Sequence, residues 1–153
     1  MIRLPETHIP LDGIYTSSVE TENGYDLTID TELEWGAITE NYELEYCLHY
    51  AGDSKNSAET ENREIFRVKQ PLTCGQNKIS MTIPVDNPRK WDITDPYLYD
   101  LQVCLWREQE TNSRELCQQE HFRIGFRTIQ FDPDRGFLLN GRKIRLNGTC
   151  DHH

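Results

Sequence analysis

The chain has 153 residues, which is enough for one domain with a sizeable core. Its 26 acidic residues outnumber 16 basic ones, and the net charge of −10 would repel phosphate backbones, so we expect no nucleic-acid partner. Mean hydropathy is −0.74 and no apolar run approaches membrane-spanning length, which predicts no membrane partner. Five irregularly spaced cysteines without a Cys-x-x-Cys pair indicate neither a disulfide framework nor a zinc site, so we expect no metal and no cofactor.

The N-terminal part of the chain predicts two strands. Pro5 and Pro10 would interrupt a central ladder, so residues 1–11 read as a lead-in with an edge strand, and residues 14–19 continue it as a first full strand. A turn at residues 22–24 follows. Apolar and polar side chains then alternate over eleven residues, which predicts a half-buried strand. Its inward row comprises Tyr25, Leu27, Ile29, Thr31, Leu33 and Trp35.

Alternation continues through the middle of the chain. Residues 42–50 predict a strand, a polar loop follows at residues 51–62, and a short strand covers residues 65–68. A turn at residues 74–77 precedes another alternating segment that ends at Val85. The inward rows are Leu44, Tyr46, Leu48 and Tyr50, then Ile79, Met81, Ile83 and Val85; the outward row of the first is Glu43, Glu45, Cys47 and His49.

Two further strands complete the pattern. The first has Tyr99, Leu101, Val103 and Leu105 inward, and the second, residues 116–126, has Phe122, Ile124 and Phe126 inward. No window shows helical period, and no sequence repeat recurs at a fixed spacing. About seven short strands bounded by turn residues therefore predict an all-β fold, an antiparallel β-sandwich of immunoglobulin type.

A β-hairpin is predicted after the sandwich, at residues 137–144. Asn140 and Gly141 supply the two positive-φ positions of a type I′ turn, whose twist matches that of two antiparallel strands. Hydrophobic residues flank the pair on both sides. On local physics alone, Asn140-Gly141 is only a tight turn.

Two motifs in the second half of the chain resemble glycoside hydrolase family 2, the β-galactosidase and β-glucuronidase group. The run from Trp91 to Leu101 is similar to the family's W-x-x-x-x-P-x-L-Y-x-L. Residues 125–127 (GFR), residues 137–143 (FLLNGRK) and Gly148 with two following histidines resemble the end of its immunoglobulin-like domain. The resemblance covers the whole chain in outline and individual residues from about Pro84 onward.

The resemblance implies a domain organisation and a parent enzyme. Residues 1–127 would form the immunoglobulin-like sandwich, and residues 128–153 a hairpin linker with the first strand of a (β/α)₈ barrel. The parent would hydrolyse O-glycosidic bonds, β-galactosidase-like, with two catalytic glutamates beyond the last residue here, so this fragment alone would be inactive. Its partners would be an upstream sugar-binding-type domain, the barrel and a carbohydrate substrate.

One residue here is implied to touch that substrate. Gly148 and His152 keep the family's spacing between a glycine and a sugar-contacting histidine. Cys150 and Asp151 depart from the asparagine and arginine common in β-galactosidases, which leaves the sugar undefined. In the isolated chain, His152 and His153 read instead as a frayed terminus.

Aromatic and acidic side chains are the other candidates for chemistry. Trp91, Tyr97 and Tyr99 could form a sugar-stacking platform, but Tyr99 stands where a tyrosine corner belongs in immunoglobulin-like folds, which favours packing. A glycosidase needs two carboxyl groups roughly 5 Å apart. The carboxylates fall on outward faces or in loops, where they predict a solvated surface: Glu43, Glu45, Glu108, Glu110, Glu115 and Glu120.

Cys47, Cys104 and Cys117 fall on outward positions of strands expected to be neighbours. They could form a cross-strand disulfide, most plausibly Cys104 with Cys117, or a docking patch. Three unrelated free thiols are the favoured interpretation.

Three functions remain open from the sequence. The first is a non-catalytic supporting domain, whose last hairpin would leave Leu138, Ile144 and Leu146 without cover and could drive self-association of the fragment. The second is an independent carbohydrate-binding module, for which Trp106 is the one outward aromatic on a well-defined strand. The third is a protein-interaction domain, whose hairpin would fold back on its own sandwich.

Overall fold

The computed structural model describes residues 6–36, 40–51 and 63–148. These residues form ten strands and no helix, so none that could cross a membrane is found in them. The strands are β1 (Ile14–Glu20), β2 (Gly24–Glu32), β3 (Tyr42–Tyr50), β4 (Glu64–Pro71), β5 (Lys78–Asp86), β6 (Tyr99–Glu108), β7 (Arg114–Ile124), β8 (Ile129–Asp132), β9 (Gly136–Leu139) and β10 (Arg142–Lys143).

The first seven strands form two antiparallel sheets that face each other. One sheet has the order β1-β2-β5 and the other β4-β3-β6-β7. The predicted inward rows of β2, β3, β5 and β6 supply the core between them, because each strand presents alternate side chains to one face. Seven strands in two sheets confirm the predicted all-β, immunoglobulin-like sandwich.

The core is mostly apolar, and a hydrogen-bonded pair of hydroxyls joins the two sheets inside it. In the register of β3 and β6, Leu44 opposes Leu105 and Leu48 opposes Leu101, and all four side chains are fully buried. Each such leucine contributes roughly 1.5–3 kcal/mol to folding through burial. The buried Thr31 hydroxyl lies 2.8 Å from the Tyr46 hydroxyl of the opposite sheet, which satisfies both polar groups.

A bulge alters the pairing of β6 with β7. The register shifts between Leu105 and Trp106, so that Cys104 opposes Gln119 and Cys117 is left out of the ladder. The alternative of a Cys104–Cys117 disulfide across the hairpin is therefore wrong, and both thiols are free. A one-residue bulge turns the side chains that follow it toward the opposite face, and neighbouring residue numbers alone do not reveal it.

The C-terminal part forms a small sheet of its own, with the order β10-β9-β8. Asn140 and Gly141 have φ angles of 50° and 79°, which confirms the predicted hairpin between β9 and β10. Strand β8 was not predicted, because its four residues are too short for a clear alternation. The Asp132 carboxylate accepts hydrogen bonds from the backbone N–H groups of Asp134 and Arg135 at 2.9 Å, closing the β8–β9 turn and lowering the pKa of Asp132.

The expected lack of cover over this hairpin is only partly found. Leu138 is 2% exposed, so the prediction that it lacks cover is wrong: it is buried together with Leu139. Ile144 is half-buried. Leu146 is 65% exposed, and Phe131 on β8 is 74% exposed. The exposed apolar surface is thus carried by β8 and the segment after β10.

Candidate functional site

Thr128 lies where the sandwich passes into the C-terminal sheet. Its hydroxyl donates to Glu20 Oε2 at 2.6 Å and lies 2.9 Å from the Tyr25 hydroxyl. Lys90 Nζ donates to the other Glu20 oxygen, also at 2.6 Å. The hydrogen bonds from Lys90 and Thr128 lower the pKa of Glu20, and the bond to Glu20 raises the pKa of Lys90. The end of β1 and the start of β2 are thereby joined to the linker.

Asn140 joins the turn of the C-terminal hairpin to two other backbone segments. Its Oδ1 accepts from Thr128 N at 3.0 Å, and its Nδ2 donates to Trp91 O at 2.9 Å. Its backbone N–H donates to Thr128 O at 2.8 Å. Beside it, Arg142 Nη2 donates to Asp92 Oδ1 at 2.5 Å. We call the set Glu20, Tyr25, Lys90, Trp91, Thr128 and Asn140 the junction cluster.

Tyr99 forms the tyrosine corner that the sequence favours. Its hydroxyl accepts the backbone N–H of Arg89 at 2.7 Å, and its ring packs edge-on against Tyr97 and Phe126 at 5.1 and 5.2 Å. Burial raises the pKa of Tyr99 to about 12.

The faces of the remaining aromatic candidates are taken by guanidinium groups. Arg89 lies 4.4 Å over the Tyr97 ring, and Arg127 lies 4.9 Å over the Trp91 ring. A Cβ added at Gly125 would lie 3.0 Å from the Trp91 Cβ, so the absent side chain lets the tryptophan approach β7. These contacts favour packing over sugar stacking.

The outer face of the four-stranded sheet contradicts one prediction. Glu45 was expected on a solvated face, but it is 2% exposed. Its carboxylate accepts from Arg67 at 2.9 Å and from Arg114 at 3.3 Å, and Lys69 lies 3.8 Å away. Long side chains from the flanking strands reach over the centre of the sheet and bury the carboxylate among their own stems. Cys47 and Cys104 are buried on the same face.

The other carboxylates expected on the surface are more accessible. Glu108, Glu110 and Glu115 are exposed, while Glu43 and Glu120 are half-buried. Glu43 pairs with Arg114 at 3.1 Å, and Glu115 pairs with Arg107. Ion pairs of this kind serve the sheet surface rather than acid–base chemistry.

Trp106 points outward, as predicted, beside a cavity of about 290 Å³. The Arg114 guanidinium lies 4.1 Å over its ring, held there by Glu43 and Glu45. The indole N–H is buried and has no hydrogen-bond partner among the described residues. With the ring face covered by Arg114, this tryptophan offers no open platform for a sugar.

Four cysteines in the described part of the chain carry free thiols: Cys47, Cys74, Cys104 and Cys117. Burial raises the pKa of Cys47 to about 11 and also raises those of Cys104 and Cys117. Thiols with raised pKa values are poor nucleophiles. Free thiols are what the sequence favoured.

The expected substrate-contacting residue, His152, lies outside the described residues, as do Cys150, Asp151 and His153. Across residues 6–36, 40–51 and 63–148, no group of three or more His, Cys, Asp or Glu side chains is placed to hold a metal ion.

The sequence did not identify Glu20, Thr128 or the side-chain role of Asn140. Glu20 and Thr128 are 108 residues apart, and Asn140 and Trp91 are 49 apart. One signal in the sequence could have pointed to Asn140. It lies inside the family-like motif at residues 137–143, at a turn position where glycine would serve equally well, so the choice of asparagine suggests a second use for its side chain.

Comparison with known proteins relates the chain to glycosidases. Residues 7–127 match the family described as Glycosyl hydrolases family 2. Beta-galactosidase BoGH2A of Bacteroides ovatus is 33% identical over 98 residues, 62% of this chain and 11% of that protein. A beta-galactosidase of Thermoanaerobacter pseudethanolicus is 27% identical over 149 residues, 97% of this chain and 18% of that protein.

A solved structure has the same fold over almost all of the chain. The structure of a glycosyl hydrolase family 2 member from Bacteroides cellulosilyticus has a TM-score of 0.76 at 24% identity, covering 96% of this chain and 19% of that one. The chain thus spans less than one fifth of the length of each of these three proteins.

Proposed function

Because the chain belongs to glycosyl hydrolase family 2, we propose that it is a non-catalytic supporting domain of a longer glycosidase. The parent enzyme hydrolyses O-glycosidic bonds in carbohydrate metabolism and is β-galactosidase-like. Residues 1–127 are the immunoglobulin-like sandwich, and residues 128–153 are the hairpin linker with the first strand of a (β/α)₈ barrel.

The observation that carries this proposal is the state of the C-terminal sheet. It is fastened to the sandwich through Thr128 and Asn140, yet Phe131 and Leu146 remain exposed. A sheet held rigidly on one side, with apolar side chains on another, is suited to receive a neighbouring domain at a defined angle. In the fragment, the same surface is available for self-association.

The parent's chemistry resides in groups beyond this sequence. Two carboxyl groups of the barrel, roughly 5 Å apart, act as acid and nucleophile. His152, at the end of the first barrel strand, contacts the sugar, and an upstream sugar-binding-type domain adjoins the sandwich. The ion-paired carboxylates of the sandwich surface supply no acid or nucleophile.

The test compares this 153-residue chain with the product of the longer gene, each assayed with chromogenic β-galactosides and β-glucuronides. We expect turnover by the longer product and none by the chain. Turnover by the chain alone would refute the supporting role. A longer gene that encodes no (β/α)₈ barrel, or whose product cleaves neither substrate, would refute the glycosidase assignment.

A protein-interaction domain is the second candidate. It is favoured by the burial of Leu138 and by the Asn140 contacts, since such a domain folds its hairpin back on its own sandwich. The same assay separates the two, because an interaction domain of adhesin type predicts no glycosidase activity in the longer product. A carbohydrate-binding module is disfavoured, because arginines cover the Trp91, Tyr97 and Trp106 rings.

A further inference from the structure

We infer that the Asn140 side chain is a positioning residue that sets the angle of the C-terminal sheet against the sandwich, in addition to its place in the turn. The inference rests on the proposed supporting function and names the contact through which that support is exerted. The side-chain bonds of Asn140 are those to Thr128 N and Trp91 O.

The turn itself does not require these bonds. A type I′ turn needs positive φ at its two central residues, and glycine satisfies that need at least as well as asparagine. Asparagine is tolerated at the φ of 50° found here, and its side-chain NH2 group donates to Trp91 O, outside the hairpin. Neither side-chain bond belongs to the ladder between β9 and β10.

Of the two bonds, the one to Trp91 O reaches the sandwich, whereas the one to Thr128 N continues the β8–β9 register by one pair. Thr128 continues from the end of β7, and Trp91 belongs to the connection between β5 and β6. Trp91 is itself bound to the end of the sandwich, because its backbone N–H donates to Phe126 O at 2.8 Å. The side-chain bond to Thr128 N and the backbone bond from Asn140 N to Thr128 O hold the hairpin to the start of β8. The bond to Trp91 O crosses to the sandwich, so the C-terminal sheet cannot rotate away from the β5–β6 connection without breaking it.

The orientation of the C-terminal sheet sets the direction of the chain after β10. Functional groups must be held within about 0.5 Å and 10–20° of their productive geometry. A small rotation about Thr128 would be carried into every residue after Lys143. The Asn140 side-chain amide therefore fixes the angle between the C-terminal sheet and the sandwich, whereas the positive φ of its backbone forms the turn.

Two substitutions separate positioning from turn formation. Asn140→Gly keeps a residue suited to positive φ and removes both side-chain bonds. Asn140→Asp keeps an acceptor for Thr128 N but places a carboxylate against Trp91 O, so only one bond survives. Asn112→Gly is the matched control: Asn112 also has a positive φ, of 57°, in the β6–β7 turn, and its side chain makes no hydrogen bond within the described part of the chain.

The measurement is the set of residual dipolar couplings of backbone amides in the 153-residue chain, together with hydrogen exchange at the Thr128 amide. In the unmodified chain and in Asn112→Gly, one alignment tensor should fit β1–β7 and β8–β10 together. In Asn140→Gly, the β9–β10 cross-strand contacts should remain, β8–β10 should need its own tensor, and Thr128 exchange should rise about tenfold. Asn140→Asp keeps the bond to Thr128 N and loses the one to Trp91 O, so it should also need a second tensor while Thr128 exchange stays near that of the unmodified chain.

Two results would overturn the inference. One is an Asn140→Gly chain that still fits a single tensor, with Thr128 exchange within about twofold of the unmodified chain. The other is loss of the β9–β10 cross-strand contacts, which would mean that asparagine serves the turn alone. Neither result depends on glycosidase activity, so failure here leaves the supporting role standing, and failure of the substrate assay leaves this contact standing.

Discussion

Replacing Tyr99 by phenylalanine removes a single oxygen from the corner where the β5–β6 connection meets the core. The ring is 1% exposed and would keep its contacts with Tyr97 and Phe126. The hydroxyl, however, is the acceptor for Arg89 N at 2.7 Å. The substitution therefore isolates one hydrogen bond in a fully packed setting.

The expected loss is about 1–3 kcal/mol, the usual cost of removing one partner of a buried hydrogen bond. For a chain of this size, each kcal/mol corresponds to roughly 2–4 °C in Tm. A loss near the middle of that range lowers Tm by about 4–8 °C. Tyr15→Phe is the control, because Tyr15 is 53% exposed and should change little.

The pH dependence gives a second and independent readout. Because burial raises the pKa of Tyr99 to about 12, the folded state favours the neutral phenol. Its contribution is complete below pH 10, the ordinary pKa of tyrosine, and is lost as the pH rises from there through 12. The variant lacks this loss, so the difference between the two proteins should shrink above pH 10. Tyr42 and Tyr46, whose pKa values burial also raises, titrate in both proteins alike.

Urea unfolding followed by tryptophan fluorescence, at pH 7 and at steps up to pH 11.5, measures both quantities. The reasoning is refuted if Tyr99→Phe matches Tyr15→Phe within about 0.5 kcal/mol at pH 7. A stability difference that stays constant through pH 11.5 would refute the pH argument alone.

Two further substitutions test the ends of the first sheet. Glu20→Gln should cost at most about 1 kcal/mol at pH 7, since the Lys90 pair is partly exposed. Because the pKa of Glu20 is lowered below 4.5, that difference should vanish as the pH falls through the lowered value, and a gap in urea midpoint persisting at pH 2.5 would contradict it. Gly24→Ala would place a Cβ 2.1 Å from Val85 O, so calorimetry should show a loss of at least about 1–3 kcal/mol. Gly148→Ala meets nothing within 4 Å and should unfold at the same temperature as the unmodified chain; equal values for both alanine variants would rule out the clash.

Much of the sandwich could be predicted because its signal is local. The inward rows of β2, β3, β5 and β6 follow from strict alternation, and their burial agrees with it. The type I′ turn at Asn140-Gly141 follows from two adjacent residues. Strand β8 was missed because four residues are too few to establish a period.

The junction cluster could not be predicted in the same way. Glu20, Trp91 and Thr128 carry no local pattern that marks them, and their partners lie tens of residues away in the chain. The side chain of Asn140 has the same ambiguity, since its identity is already accounted for by the turn. The second role of the Asn140 side chain becomes visible only in the tertiary structure, where the linker, the β5–β6 connection and the hairpin lie next to one another.

By itself, the sequence determined which side chains point toward the core, where the chain turns, and to which family of glycosidases it is related. The tertiary structure decided how the outer face is covered and how the last sheet is held. Alternation assigns a side chain to one of the two faces of a sheet. Whether that side chain is exposed to solvent depends on the side chains of other strands that lie beside it. Glu45 is buried because Arg67 of β4 and Arg114 of β7 contact its carboxylate. Those contacts depend on the register between strands, which cannot be read from the sequence of any one strand.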